Sequence, residues 1–217
     1  MASNRILLMV IIFLCCCSGC ASQTSSSGQV QINRTTYHRS PHLDTAHLHG
    51  KHIELFEKTK CRELAIAVFE EDTAKIKSLC EKDTTLVHCR ENKFQWTLLE
   101  WAVFNYRYYA SKALLECGAD PNAKDYENKT PFIYAADVYE TSDYLKLLLA
   151  FGGNVNSRSN DLQNTTPLFA AAKQRLESVK MLVNAGANVN DTAGEYGLTA
   201  LNWACATNRI DIVEYLI

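Results

Sequence analysis

Two groups of residues in this chain have the types and spacing for chemistry. Cys15, Cys16, Cys17 and Cys20 stand within six residues of one another. Thiolates can hold zinc, pair as disulfides or carry a covalent modification. Zinc sites space their thiolates by about two to four residues, whereas three of these are adjacent, so the metal reading is poor. The second group is His38, His42, His47, His49 and His52, crowded around "HLDTAHLHGKH". Neutral imidazoles suit zinc, nickel or copper, but no cysteine or paired acid completes a shell at fixed spacing. A solvated, weakly pH-sensitive linker fits the histidines better. Beyond them His88 is the single histidine. No nucleophile is paired with a base and no glycine-rich loop could cradle phosphate. The sequence is therefore read as a non-enzyme with no catalytic residue, no metal and no cofactor.

The four clustered cysteines gain meaning from their neighbours. Arg5 is the only charge before them, and "ILLMVIIFLCCC" follows from Ile6 to Cys17. As a helix that run is roughly 18 Å long, short for a bilayer core of about 30 Å. A basic start, a short apolar core and small residues make a signal peptide. The run ends in "CSGC", which resembles the lipobox of bacterial lipoproteins: an aliphatic residue, two small residues, then the lipidated cysteine. Ser18, Gly19 and Cys20 match; Cys17 stands where the family has Leu. The resemblance implies that Cys20 carries acyl chains and begins the mature chain, giving stable anchoring. Ala21 after the cysteine, rather than Asp, implies the outer membrane in enteric-type lipoproteins. The alternatives are ordinary cleavage near Ala21, giving a secreted protein, and a cytosolic chain.

A formal net charge of −2 over 217 residues argues against a nucleic-acid binder. Cys61, Cys80, Cys89, Cys117 and Cys205 follow Cys20, odd in number and irregular in spacing. They form no disulfide framework of the small secreted kind. One bridge among Cys61, Cys80 and Cys89 is open to an oxidising compartment; small buried apolar residues is the favoured reading. Residues 20–59 read as a polar, flexible tether, roughly 35 Å from end to end, with "HIELFEK" beginning a short helix.

The rest of the chain repeats. "TLLEWAVFN" from Thr97, "TPFIYAADV" from Thr130, "TPLFAAAKQ" from Thr166 and "TALNWACAT" from Thr199 are spaced by 33, 36 and 33 residues. Between them recur "ALLECGADPNAKD", "LLLAFGGNVNSRS" and "MLVNAGANVNDTA". A weaker copy, "RELAIAVFEEDTAKIKSLCEKD", precedes them. Thr can cap a helix, and Pro131 and Pro167 suit the first helical position. Ala135, Ala136, Ala171 and Ala172 allow close helix approach. Gly118, Gly152 and Gly186 can end a second helix in a left-handed turn. Each unit is then a helix, a turn, a second helix and a projecting loop. Its apolar face cannot be buried alone, so units must stack.

This pattern resembles the ankyrin repeat family: Thr-Pro-Leu-His-x-Ala-Ala, a Val-x-x-Leu-Leu helix, then Gly-Ala-Asp-x-Asn. The resemblance covers about Cys61 to Ile217 and implies an all-α solenoid of stacked helix-turn-helix units with projecting loops. The organisation expected is a signal peptide at 1–19, a tether at 20–59 and repeats over 60–217. The units run about 62–96, 97–129, 130–165, 166–198 and an incomplete 199–217. The family histidine is replaced by Glu100, Ile133, Phe169 and Asn202, so the hydrogen bonds it makes between loops are expected to be lost and the array to be less rigid. Extra residues in the third unit are expected near Ser157 to Gln163. The last unit stops within "DIVEYLI", which suggests truncation or an end covered by a partner. Four Asn-x-Thr sequons, at Asn33, Asn128, Asn164 and Asn190, read as accidental.

The resemblance implies a concave face, lined by first helices and loops, that binds protein. The residues expected to meet a partner are Phe104, Asn105, Tyr106, Tyr126, Asp137, Tyr139, Lys173 and Gln174. Aromatic side chains bury large area at low entropic cost. Trp101, Tyr134 and Trp203 share one repeat position, which favours packing for those three. Charges at the loop tips, including Arg90, Glu91, Asp125, Arg158 and Asp191, offer partner contacts, and a solvated rim explains them equally well. Removing Phe104 and Tyr126 is expected to weaken capture without unfolding the array. Two functions follow. One is an envelope-anchored lipoprotein that occludes a toxin or an envelope enzyme, as an immunity protein or inhibitor would. The other is a structural adaptor of an envelope complex, or a cytosolic scaffold.

Overall fold

The computed structural model describes residues 53–137, 142–173, 175–194 and 196–217, all within the unit Leu43–Ile217. The leader, Cys20 and the tether histidines lie outside the described residues. A 3-10 helix, Ile53–Phe56, comes first. Five helix pairs follow: α1 Arg62–Phe69 with α2 Thr73–Lys82, α3 Leu98–Phe104 with α4 Tyr108–Glu116, α5 Pro131–Ala136 with α6 Asp143–Ala150, α7 Pro167–Ala171 with α8 Leu176–Asn184, and α9 Ala200–Ala206 with α10 Ile210–Leu216. A second 3-10 helix, Thr84–His88, links the first two pairs.

The repeat threonines start helices as their chemistry dictates. Thr97, Thr130, Thr166 and Thr199 are extended, and each hydroxyl accepts from the N–H three residues on, at 3.2–3.4 Å. Each such cap contributes about 1 kcal/mol. Glu100 and Asn202 stand in the family's histidine position and close capping boxes by reaching back to the N–H of Thr97 and Thr199. First helices pack in succession, α1 on α3, α3 on α5, α5 on α7 and α7 on α9. Ala102, Ala135, Ala170, Ala171 and Ala204 are buried at these contacts, where a larger side chain would hold the helices apart. Leu64, Leu98, Leu114, Leu145, Leu148, Leu182 and Ile212 fill the space between layers, at roughly 1.5–3 kcal/mol each for full burial.

The residue two before each repeat threonine is left-handed: Gln95, Asn128, Asn164 and Gly197 have φ of 61°, 55°, 45° and 61°. Asn and Gly tolerate this region best. The asparagines of two sequons, Asn128 and Asn164, are therefore turn residues. One short hairpin, β1 Thr192–Ala193 with β2 Leu198–Thr199, is antiparallel with Thr192 opposite Thr199.

The family histidine's bonds are absent, and other side chains join adjacent loops. Asn122 Nδ2 donates to Gly152 O at 3.0 Å, and its Oδ1 accepts from Asn154 N at 2.7 Å. Asn156 repeats this one unit later with Gly186 O at 3.1 Å and Asn188 N at 2.9 Å. Arg90 Nη1 donates to Gln95 O in its own loop and to Lys124 O in the next, both at 2.6 Å. Arg158 does likewise with Asn164 O and Thr192 O, and pairs with Asp191.

Two expectations change. Cys61 and Cys89 are joined in a disulfide, with Cα atoms 6.2 Å apart and a sequence separation of 28. Sequence spacing left this bridge open and favoured free thiols; the packing of the second 3-10 helix against α2 and α3 is what brings Cys89 back. The extra residues of the third unit are also divided. The loop from Gly152 to Thr166 is two residues longer than that from Gly118 to Thr130, and the stretch from Thr130 to Gly152 is one longer than that from Thr97 to Gly118.

Candidate functional site

The first helices and loops of the second and third units carry a cluster of rings. The Trp96 ring lies 5.4 Å from Phe94, 5.0 Å from Phe104 and 5.5 Å from Tyr134. Phe104 and Tyr134 meet edge to face at 5.7 Å. Lys93 Nζ sits 4.9 Å from the Phe94 ring centre, a cation–π contact of about 0.5–1 kcal/mol at an exposed site. Trp96 is buried, while Phe94, Phe104 and Tyr134 are half-buried.

A buried carboxylate ties these rings to the loop. Asp125 Oδ2 accepts from Trp96 Nε1 at 3.1 Å and from Tyr134 OH at 2.6 Å. Its Oδ1 accepts the backbone N–H of Glu127 and Lys129, each at 2.8 Å. Burial and the neighbouring Asp125 charge push the Tyr134 hydroxyl well above its ordinary range. Glu91, also buried, accepts from the N–H of Lys93, Phe94 and Trp96. The solvated-rim reading is thus corrected for Glu91 and Asp125, which build the loops from within. It is corrected too for Arg90 and Arg158, which clamp adjacent loops.

Below this network Glu100 is fully buried. Its Oε2 accepts from Thr97 N at 2.6 Å, and its Oε1 has no hydrogen-bonding side chain or backbone group. Burial pushes the carboxyl up to about 8. Among the described residues, no group of three or more His, Cys, Asp or Glu stands close enough to hold a metal ion.

The expected contact residues divide by burial. Tyr126 is 59% exposed, with its hydroxyl donating to Glu127 and its N–H to Phe94 O. Phe104 is wedged between Trp96 and Tyr134, so truncating it opens a gap in the ring cluster. Asn105 is the C-cap of α3 and donates from Nδ2 to Trp101 O at 2.9 Å. Tyr106 is half-buried with φ of 60°. Asp137 is exposed at the C-cap of α5 and lies 3.9 Å from Lys173 Nζ. Lys173 in turn reaches over the Trp203 ring at 5.6 Å, which packs on Phe169 at 5.1 Å. Tyr139 and Gln174 lie outside the described residues.

The structure therefore brings Phe104 together with Trp96 and Tyr134, and Asp137 with Lys173 and Trp203. Trp101 is buried, and Tyr134 and Trp203 are half-buried in ring contacts, as their shared repeat position suggests. The organising role of Asp125 was not legible as a single loop acid; its signal was the position next to Lys124 one loop beyond Trp96.

Comparison with known proteins places this geometry in context. The family model for ankyrin repeats in three copies matches residues 99–193 and 132–217. The chain is 36% identical to Protein PhlB of Serratia liquefaciens over 123 residues, 56% of this chain and 52% of that protein. It is 39% identical to FPV233 of Fowlpox virus over 74 residues, 34% of this chain and 14% of that protein. It is 46% identical to the ankyrin repeat-containing protein P1E11.10 of Schizosaccharomyces pombe over 59 residues, 27% of each chain. The chain thus spans about half the length of PhlB and smaller shares of the other two.

Proposed function

Because this chain belongs to the ankyrin repeat family, a family of protein-interaction scaffolds, we propose that it grips a protein partner across the second to fourth helix pairs. The observation that carries this reading is the exposed rim of a rigid ring cluster. Tyr126 is exposed on the loop whose N–H reaches Phe94 O, and Asp125 holds Trp96 and Tyr134 of the cluster in place. Fixed aromatic groups lose little freedom on binding, which is what a hot spot requires. Asp137 and Lys173 add charge at the neighbouring first-helix ends.

In this reading the protein is exported and anchored by lipid at Cys20, facing the periplasm. The Cys61–Cys89 bridge supports export, since disulfides persist mainly in oxidising compartments. The mechanism is steric: the array lies over the working surface of a toxin or an envelope enzyme and blocks it, as an immunity protein or inhibitor does. Two tests apply. Tyr126→Ala and Asp137→Arg should each lose a partner that the unaltered protein retains from an envelope extract, with thermal melting unchanged; retention by both variants would dismiss the surface. Cys20→Ala should move the protein from the membrane fraction to the soluble fraction; continued membrane association would dismiss the anchor.

A further inference from the structure

Away from the ring cluster, two thiols share a cleft between the first and second helix pairs. Cys80 lies near the end of α2 and Cys117 follows the last residue of α4, helices that pack directly on one another. Cys117 is among the side chains that act on the Cys80 thiol. Both line an open cleft of about 360 Å³ with Lys77, Glu81, Thr84 and Glu116. Lys77 Nζ and Glu116 Oε2 pair across it at 2.7 Å. Cys80 is 4% exposed, whereas Cys117 is partly open to solvent. Neither is in a disulfide, though Cys61 of the same helix pair already is.

We propose that Cys80 and Cys117 are an oxidisable pair, which a disulfide-bearing oxidant entering this cleft closes into a second bridge between the first two helix pairs. The accessible Cys117 attacks first, as its thiolate. It bonds to one sulfur of the incoming disulfide; that S–S bond breaks and the other half leaves as a thiolate. Cys80 then gives its proton to solvent and attacks the Cys117 sulfur. The mixed disulfide breaks and the second half leaves as a thiolate. The oxidant takes up two electrons, and the protein loses two thiol hydrogens. Burial pushes the Cys80 thiol up to about 12, which suits it to the second step rather than the first. The bridge ties α2 to α4 and restricts the unfolded chain. The proposal does not depend on which partner the array binds.

The test exposes the full chain to glutathione disulfide, blocks remaining thiols with an alkylating agent, and maps linked peptides by mass spectrometry. The expected product is a peptide pair joined through Cys80 and Cys117, with both thiols lost together. Melting of the oxidised protein should rise by roughly 5–10 °C. In Cys80→Ser, Cys117 should instead hold a glutathione adduct; if that variant does not fold, Cys80→Ala gives the same reading. Cys117 carrying glutathione while Cys80 remains alkylatable in the unaltered chain would overturn the proposal. So would retention of both thiols, or a bridge from Cys80 to Cys61 or Cys89.

Discussion

Gly153 and Phe132 make a pair whose coupling can be measured. In the second and fourth units the residue after the terminating glycine is Ala119 or Ala187, and the third residue of the repeat motif is Leu99 or Leu168. In the third unit these positions hold Gly153 and Phe132. A methyl group on Gly153 would lie 2.7 Å from Phe132 Cδ2 and 2.9 Å from Leu148 O. The first distance is about 0.8 Å short of a normal carbon contact. Phe132 is fully buried, so its ring cannot swing away. Overpacking of this kind costs about 1–3 kcal/mol, and loss of glycine's freedom in the unfolded chain offsets about 0.4–1 kcal/mol. Gly153→Ala should therefore destabilise by roughly 1–2 kcal/mol, or about 2–8 °C in melting temperature. Phe132→Leu alone should destabilise too, by leaving space. The double variant should be clearly more stable than the sum of the two losses predicts. Urea unfolding of all four proteins gives the coupling energy. Losses that add to within about 0.5 kcal/mol would refute the packing argument.

Three other outcomes follow. Glu100 has its folded-state carboxyl raised to about 8, so the folded state holds a proton that the unfolded state has released. Stability is then greatest near and below the ordinary carboxylate range and falls as pH rises toward about 8, by up to about 1.4 kcal/mol per pH unit. Glu100→Gln should flatten that fall, which melting from pH 5 to 9 would show; an unchanged slope contradicts it. Asn156→Ala removes two links between the third and fourth units and should cost about 1–3 kcal/mol in urea unfolding, with hydrogen exchange rising around Gly186 and Asn188. No exchange change there would count against the asparagine links. Tyr106→Asn, which copies Asn208 at the equivalent left-handed position, should hold stability within about 1 kcal/mol by thermal melting; a larger loss would mean that the Tyr106 ring packs structurally.

The stacking architecture was readable because its signals are local and recur. A capping threonine, a proline at the first turn and a glycine after the second helix each act within a few residues, and repetition removes ambiguity. What joins the units was less visible. Asn122 and Asn156 look like ordinary loop polar residues until stacking brings the next helix end within reach. The Cys61–Cys89 bridge and the Asp125 network depend on long-range placement in the same way. The partner surface was read from aromatic density, yet density alone does not separate Phe104, held among rings, from Tyr126, which projects outward. That distinction comes from the loop hydrogen bonds and not from residue type.

The central claim is that this array meets its partner through the first-helix and loop side of the second to fourth units. The most direct measurement places a photo-activated cross-linking residue at position 126, with a control at the exposed Lys112 on the second-helix side. Cross-linking is then carried out in cells. The account predicts a discrete protein adduct from position 126 and none from position 112. An adduct from position 112 with none from position 126 would contradict it.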